Sequence, residues 1–171
     1  MSNKEEFDKE NVFGLGSPND AFAQYFIGQS YLNPLVDIED TDIFLANVTF
    51  EPGCRNNWHI HHAKIGGGQI LICTAGEGWY QEEGKPAQSL KPGTVINIKP
   101  GIKHWHGAKK DSWFSHIAVE IPGEETSNEW LEPVTDKEYN KLWKINPFNL
   151  LNFTFNKRLN NMKLSNRPFL K

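Results

Sequence analysis

From residue 51 to residue 101 the chain meets a turn-forming cluster roughly every ten residues, and this rhythm decides its fold class. The clusters are Glu51-Pro52-Gly53, Gly66-Gly67-Gly68, Ala75-Gly76-Glu77-Gly78, Glu83-Gly84-Lys85-Pro86, Lys91-Pro92-Gly93 and Pro100-Gly101. Proline lacks the amide hydrogen that a helix interior or a central strand uses, and glycine reaches backbone conformations closed to other residues. Helices of ordinary length do not fit between such breaks. Short strands do, and the segments 43–50, 57–61, 69–74, 78–82, 87–90, 94–98, 104–107 and 114–121 read as strands. Many short strands with evenly placed turns predict an all-β sandwich or barrel.

The flanks read differently. Residues 1–20 are expected to form a loosely ordered N-terminal segment. The barrel domain is expected to span 21–146, beginning with an apolar, aromatic stretch (21–36) suited to an edge strand or an arm. Thr135 can cap a short helix over 136–144 that sets Tyr139, Leu142 and Trp143 on one face. The last segment, 147–171, carries Lys157, Arg158, Lys163, Arg167 and Lys171 with no acidic residue, and is expected to drape over the surface or to dock on a partner.

A chain of 171 residues has room for one core. Its net charge of -3 gives no overall field to recruit nucleic acid or an anionic membrane, and no apolar run is long enough to span a bilayer. The polar start, Met1-Ser2-Asn3-Lys4-Glu5-Glu6, is followed by no apolar stretch of signal-peptide length, so a cytoplasmic address is expected. Cys54 and Cys73 are expected to be reduced, half-buried thiols.

All six histidines lie between residues 59 and 116: His59, His61, His62, His104, His106 and His116. Alternate side chains of a strand share one face, so His59 and His61 point together while Trp58 and Ile60 point away. His104 and His106 repeat the arrangement on a later strand. Two such pairs, each preceded by a Pro-Gly turn, can converge several imidazole nitrogens on a transition metal.

These residues resemble the two motifs of the cupins. Gly53, five residues, then His59-x-His61, and later Gln69, six residues and Gly76, resembles the first motif; Gly93 followed by Pro100-Gly101-x-x-His104 resembles the second. The match runs from about Gly53 to Val119. It departs from the family pattern in four places. Gln69 stands where the usual Glu ligand would be. The gap from His61 to Gln69 is longer and holds three glycines. Ala108 replaces an Asn, and Pro100 abuts Gly101. The resemblance implies a double-stranded β-helix (jelly-roll) barrel and makes His59, His61, Gln69 and His104 the metal ligands. His62 is the rival to Gln69, but strand alternation points it away from its neighbour. The glycine-rich loop over 63–68 is expected to form a lip over the site. It has no Lys-Ser/Thr ending, which speaks against a phosphate cradle.

The run His104-Trp105-His106-Gly107-Ala108, with His116 twelve residues beyond His104, narrows the resemblance to small cupins that include the manganese-dependent hydroxynitrile lyases. It is also similar to cupins associated with carboxymuconolactone-decarboxylase-like proteins. By that resemblance His106 and His116 assist carbon–carbon cleavage of a small cyanohydrin. Nitrogen and oxygen ligation suits one divalent ion, with manganese favoured by the resemblance and Fe, Ni, Zn or Co also suited. Three imidazoles and an amide are neutral, so the ion would keep its full charge. Three readings stay open: a metal-dependent lyase acting on a small hydroxy or carbonyl compound, an iron-dependent dioxygenase, and a non-catalytic cupin that binds a metal or small ligand. The expected partners are a small-molecule substrate and a second copy of the chain in a homodimer, with no nucleic acid and no membrane.

Overall fold

The computed structural model describes residues 4–143. In chain order, its strands of three or more residues are β1 (Ser30–Pro34), β2 (Leu45–Phe50), β3 (His59–His62), β4 (Gln69–Gly76), β5 (Gly78–Glu82), β6 (Gln88–Leu90), β7 (Val95–Ile98), β8 (His104–Ala108), β9 (Phe114–Glu120) and β10 (Ser127–Trp130). Every pairing is antiparallel. One sheet has the order β1-β2-β9-β4-β7, with residues 17–18 added outside β1. The other runs β6-β5-β8 and continues through two-residue strands at 55–56 and 26–27, while β3 pairs with both β8 and β10.

Alternation along the strands builds the interior. Gln69, Leu71, Cys73 and Ala75 of β4 are buried, while the intervening residues are not. Ile96 and Ile98 of β7 are likewise buried between exposed neighbours. Phe50, Leu71, Leu90, Ile98 and Phe114 fill the core with Cys54 and Cys73. Each fully buried Leu, Ile or Phe contributes about 1.5–3 kcal/mol by leaving water. Both thiols are free, and burial pushes each up to about 12, so neither is a ready thiolate.

The turn clusters fall between strands or at their ends, and Gly76, the last residue of β4, shows why glycine is needed. Its φ is 63°, and a Cβ there would lie 1.9 Å from the Trp113 carbonyl oxygen. Gly84 has a similar φ of 73° but nothing within 4 Å of a Cβ. Gly84→Ala is therefore expected to cost only the backbone term, about 1–2 kcal/mol. Gly76→Ala is expected to cost at least about 3 kcal/mol, since overpacking against a fixed carbonyl adds to it. Urea unfolding of both variants checks the difference, and equal losses would contradict it.

The flanks correct two expectations. Residues 4–10 form a helix, Lys4–Glu10, instead of a loose segment, because Phe7 is fully buried and stacks on Trp113 at 5.5 Å. Asn11 anchors the next turn by accepting a hydrogen bond from Asn47 at 3.0 Å. The stretch 21–36 is only partly strand. A 3-10 helix, Asp20–Tyr25, comes first, then residues 26–27 pair with 55–56, and β1 pairs with β2.

Contacts divide the chain into units 1–134 and 135–171. In the second, the Asp136–Trp143 helix has the expected cap. Thr135 Oγ1 accepts from the Glu138 N–H at 3.2 Å, and the Thr135 N–H donates to Glu138 Oε2 at 3.0 Å. Lys144 and the basic segment 147–171 lie outside the described residues. Among the described residues no helix is long and apolar enough to cross a membrane.

Candidate metal centre

Strand β3 sorts its histidines by alternation: His59 and His61 are buried, Ile60 is half-buried and His62 is exposed. His62 pairs with the Glu129 carboxylate at 2.7 Å on the outer side. Antiparallel register sets His104 of β8 directly opposite His59, with ring centroids 4.1 Å apart. His61 stands 5.1 Å from His59 and 5.3 Å from His104, ring to ring. Two residues along β8, His106 lies 5.7 Å from His59 and 6.1 Å from His104. His116 reaches in from β9, 4.8 Å from His106, next to a register irregularity between Ser115 and His116. Five of the six histidines thus meet at one place.

Distance alone does not separate ligands from neighbours. Ligand-capable nitrogens of His59, His104 and His106 all lie within 4.8 Å of one another. Hydrogen bonding sorts them differently. His59 Nδ1 lies 3.0 Å from the Asn57 carbonyl oxygen, and His104 Nδ1 lies 2.9 Å from that of Ile102. A carbonyl only accepts, so Nδ1 carries the proton in both rings and Nε2 keeps its lone pair. His61 Nδ1 faces two oxygens, Asn128 Oδ1 at 2.7 Å and Glu120 Oε2 at 3.4 Å, which imposes the same tautomer. His106 differs: its Nε2 is the engaged nitrogen, 3.0 Å from the Asn56 side-chain amide.

Gln69 lines the same cavity as His59 and His61. Its Nε2 donates to Glu120, and because a carboxylate can only accept, the amide oxygen must face the other way. His61 Nε2, His104 Nε2 and Gln69 Oε1 are buried with no hydrogen-bond partner among the described residues. Leaving a buried acceptor unsatisfied costs about 1–3 kcal/mol, and several such acceptors on neighbouring strands suit an electrophile. Mixed imidazole and amide-oxygen donors fit a divalent transition metal. The donors are neutral, as the sequence implies. Glu120, however, hydrogen-bonds Gln69 and flanks His61, so a negative charge stands one bond behind them.

Burial governs the electrostatics. It holds His59 and His106 well below the usual histidine range, reinforced by neighbouring imidazoles, and brings His104 and His116 down to about 4. All four are neutral at pH 7. Unfolding returns each to its ordinary value near 6.5, so the unfolded chain binds more protons between pH 6.5 and 4. Stability of the metal-free protein is therefore expected to fall as pH drops from 6.5 through 4. His104 and His116 contribute up to about 3 kcal/mol each to that fall. Urea unfolding across this range measures it, with His116→Leu expected to flatten the slope by its own share. A pH-independent stability would contradict the account.

Four of the five imidazoles, all but that of His104, line a cavity of about 220 Å³. Its lining combines His59, His61, Gln69, His106 and His116 with the apolar side chains of Phe22, Phe26, Leu32, Phe44, Val48 and Trp130. The 3-10 helix that brings Phe22 to the cavity arises from the stretch expected to be an edge arm. Sequence reasoning missed Asn56, Glu120, Asn128 and Trp130. Glu120 pairs directly with Gln69 across β9 and β4, a register that only the structure shows. Nothing in the sequence marks Asn56, Asn128 or Trp130 as contributors.

No protein-family model matches the chain. Over 120 residues it is 40% identical to an (R)-mandelonitrile lyase of Granulicella tundricola, a match covering 70% of this chain and 88% of that protein. It is 41% identical to a cupin-like protein from Thermotoga maritima of known crystal structure, with a TM-score of 0.67 over 77% of this chain and 96% of that one. A cupin 2 conserved barrel domain protein from Rhodopseudomonas palustris shares the fold, with a TM-score of 0.55 at 15% identity over 75% and 82% of the two chains.

Proposed function

The chain belongs to the cupin family, and on that premise we propose that it is a metal-dependent hydroxynitrile lyase, cleaving a small cyanohydrin to an aldehyde and hydrogen cyanide. His59, His61 and His104 would hold the ion through Nε2, and Gln69 through Oε1. A divalent ion there, manganese by the family resemblance, supplies Lewis-acid polarisation to a substrate oxygen.

The observation that carries the reading is the pair His106 and His116. Both are buried, neutral imidazoles that line the same cavity as His59, His61 and Gln69. No side chain among the described residues hydrogen-bonds the His116 ring, which meets only the Ile117 main chain, so one ring nitrogen keeps its lone pair to accept the substrate hydroxyl proton. The carbon–carbon bond then breaks, its electron pair leaves with cyanide, and the oxygen's pair closes the carbonyl. The proton passes from His116 to cyanide, so the imidazole returns to its starting state. Aromatic and aliphatic walls hold the substrate's apolar end and exclude water. Among the cavity-lining residues there is no Lys or Arg, and Glu120 is the ionised group, which disfavours anionic substrates.

Mandelonitrile cleavage by protein loaded with Mn, Fe, Co, Ni or Zn in turn tests this directly, by release of benzaldehyde and cyanide. Cleavage that depends on the metal is the expected result. No cleavage with any of the five metals would overturn it, and oxygen uptake with iron but not manganese would put the dioxygenase reading in its place.

A further inference from the structure

Asn56 grips His106 at two points. The His106 main-chain N–H donates to Asn56 Oδ1 at 2.9 Å, and Asn56 Nδ2 lies 3.0 Å from His106 Nε2. The first contact fixes the sense of the second. A main-chain N–H can only donate, so the atom it meets is the amide oxygen. The amide nitrogen, itself only a donor, therefore faces Nε2, which must present its lone pair. A neutral imidazole carries one ring proton, and in His106 that proton sits on Nδ1. We propose that Asn56 is a positioning residue that fixes His106 as its Nδ1–H tautomer, withholding it from the metal and aiming a hydrogen-bond donor at the centre of the site.

This is the reverse of the three candidate ligand rings. His59, His61 and His104 have Nδ1 engaged with oxygen, whereas His106 has Nε2 engaged and Nδ1 buried without a partner. His106 is one of the three residues whose ligand-capable nitrogens cluster within 4.8 Å, so proximity makes it look like a ligand. Its tautomer makes it a donor, because a protonated nitrogen has no lone pair to give. Taken with the lyase reading, on which this part rests, the Nδ1–H hydrogen-bonds the departing cyanide and stabilises its charge as the carbon–carbon bond breaks. The Nδ1 proton stays on His106, while the hydroxyl proton travels through His116.

The backbone is built to bring Asn56 this close. The strand at 55–56 bridges β8 with Arg55 opposite Gly107. A Cβ on Gly107 would lie 2.5 Å from Arg55 Cα and from the Cys54 carbonyl oxygen, so only glycine lets the strand approach. Asn56 is 2% exposed and His106 4%, which shields the pair from competing water.

Long-range proton–nitrogen NMR on uniformly nitrogen-15-labelled protein, metal-free and zinc-loaded, reads which ring nitrogen carries each proton. His106→Gln assigns the signal. In wild type, His106 is expected to be protonated on Nδ1 in both states, and zinc is expected to shift Nε2 of His59, His61 and His104 only. An Nε2–H tautomer, or a zinc-ligated His106 nitrogen, overturns the proposal. Asn56→Ala is expected to mix the tautomers and lower kcat by about 10²-fold while KM and zinc stoichiometry hold. A variant with the wild-type tautomer and kcat overturns it as well. Should that variant fail to fold, the wild-type spectra decide alone. Wild type that shows the Nδ1–H tautomer yet cleaves no cyanohydrin upholds the tautomer and removes the lyase reading. Turnover with an Nε2–H His106 does the opposite.

Discussion

His59→Ala is expected to strip the bound metal and to lower kcat/KM by at least about 10³-fold, because a Lewis acid contributes several kcal/mol and each 1.4 kcal/mol is a factor of ten. His59 sits at the middle of the cluster, opposite His104 across two strands, with its Nδ1 tied to Asn57 and its ring stacked on Trp130 at 4.7 Å. Removing it leaves two imidazoles and an amide oxygen, too few donors to hold a divalent ion tightly. A thermal shift separates loss of metal from loss of fold. Wild type should gain about 2.7 kcal/mol at a hundredfold excess of manganese over its dissociation constant, and the variant should gain nothing. An undiminished shift in the variant would remove His59 from the ligand set.

His106→Ala is expected to do the reverse: metal content unchanged, kcat lower by about 10²–10³-fold. If proximity decided ligation, His106 would be bound with His59 and His104 and the metal would leave with it. The engaged Nε2 argues otherwise. Elemental analysis of the purified variant, run beside wild type and His59→Ala, reads the answer before any substrate is added. Metal lost in parallel with His59→Ala would show that His106 ligates.

Much of the barrel was legible because turns and alternation are local. Pro-Gly and Gly-Gly clusters bounded the strands to within a few residues, and the His-x-His spacing put His59 and His61 on one face before any partner strand was known. Pairing is not local, and there the reading ran out. Strand β10 has the sequence Ser127-Asn128-Glu129-Trp130, almost wholly exposed and without alternation, yet it brings Asn128 to His61 and Trp130 to His59. Asn56 acts across a bridge to β8, and Glu120 acts across the β9–β4 register, so neither announces itself along the chain. The Lys4–Glu10 helix is too short to show a stable amphipathic period. Its place is set by Phe7 packing on Trp113, a contact more than a hundred residues away in sequence.

X-ray absorption fine structure of the manganese-loaded wild-type protein tests the arrangement most directly. Three imidazole nitrogens with oxygen filling the remaining positions is the expected first shell. Four imidazoles around the ion, or fewer than three, would contradict it.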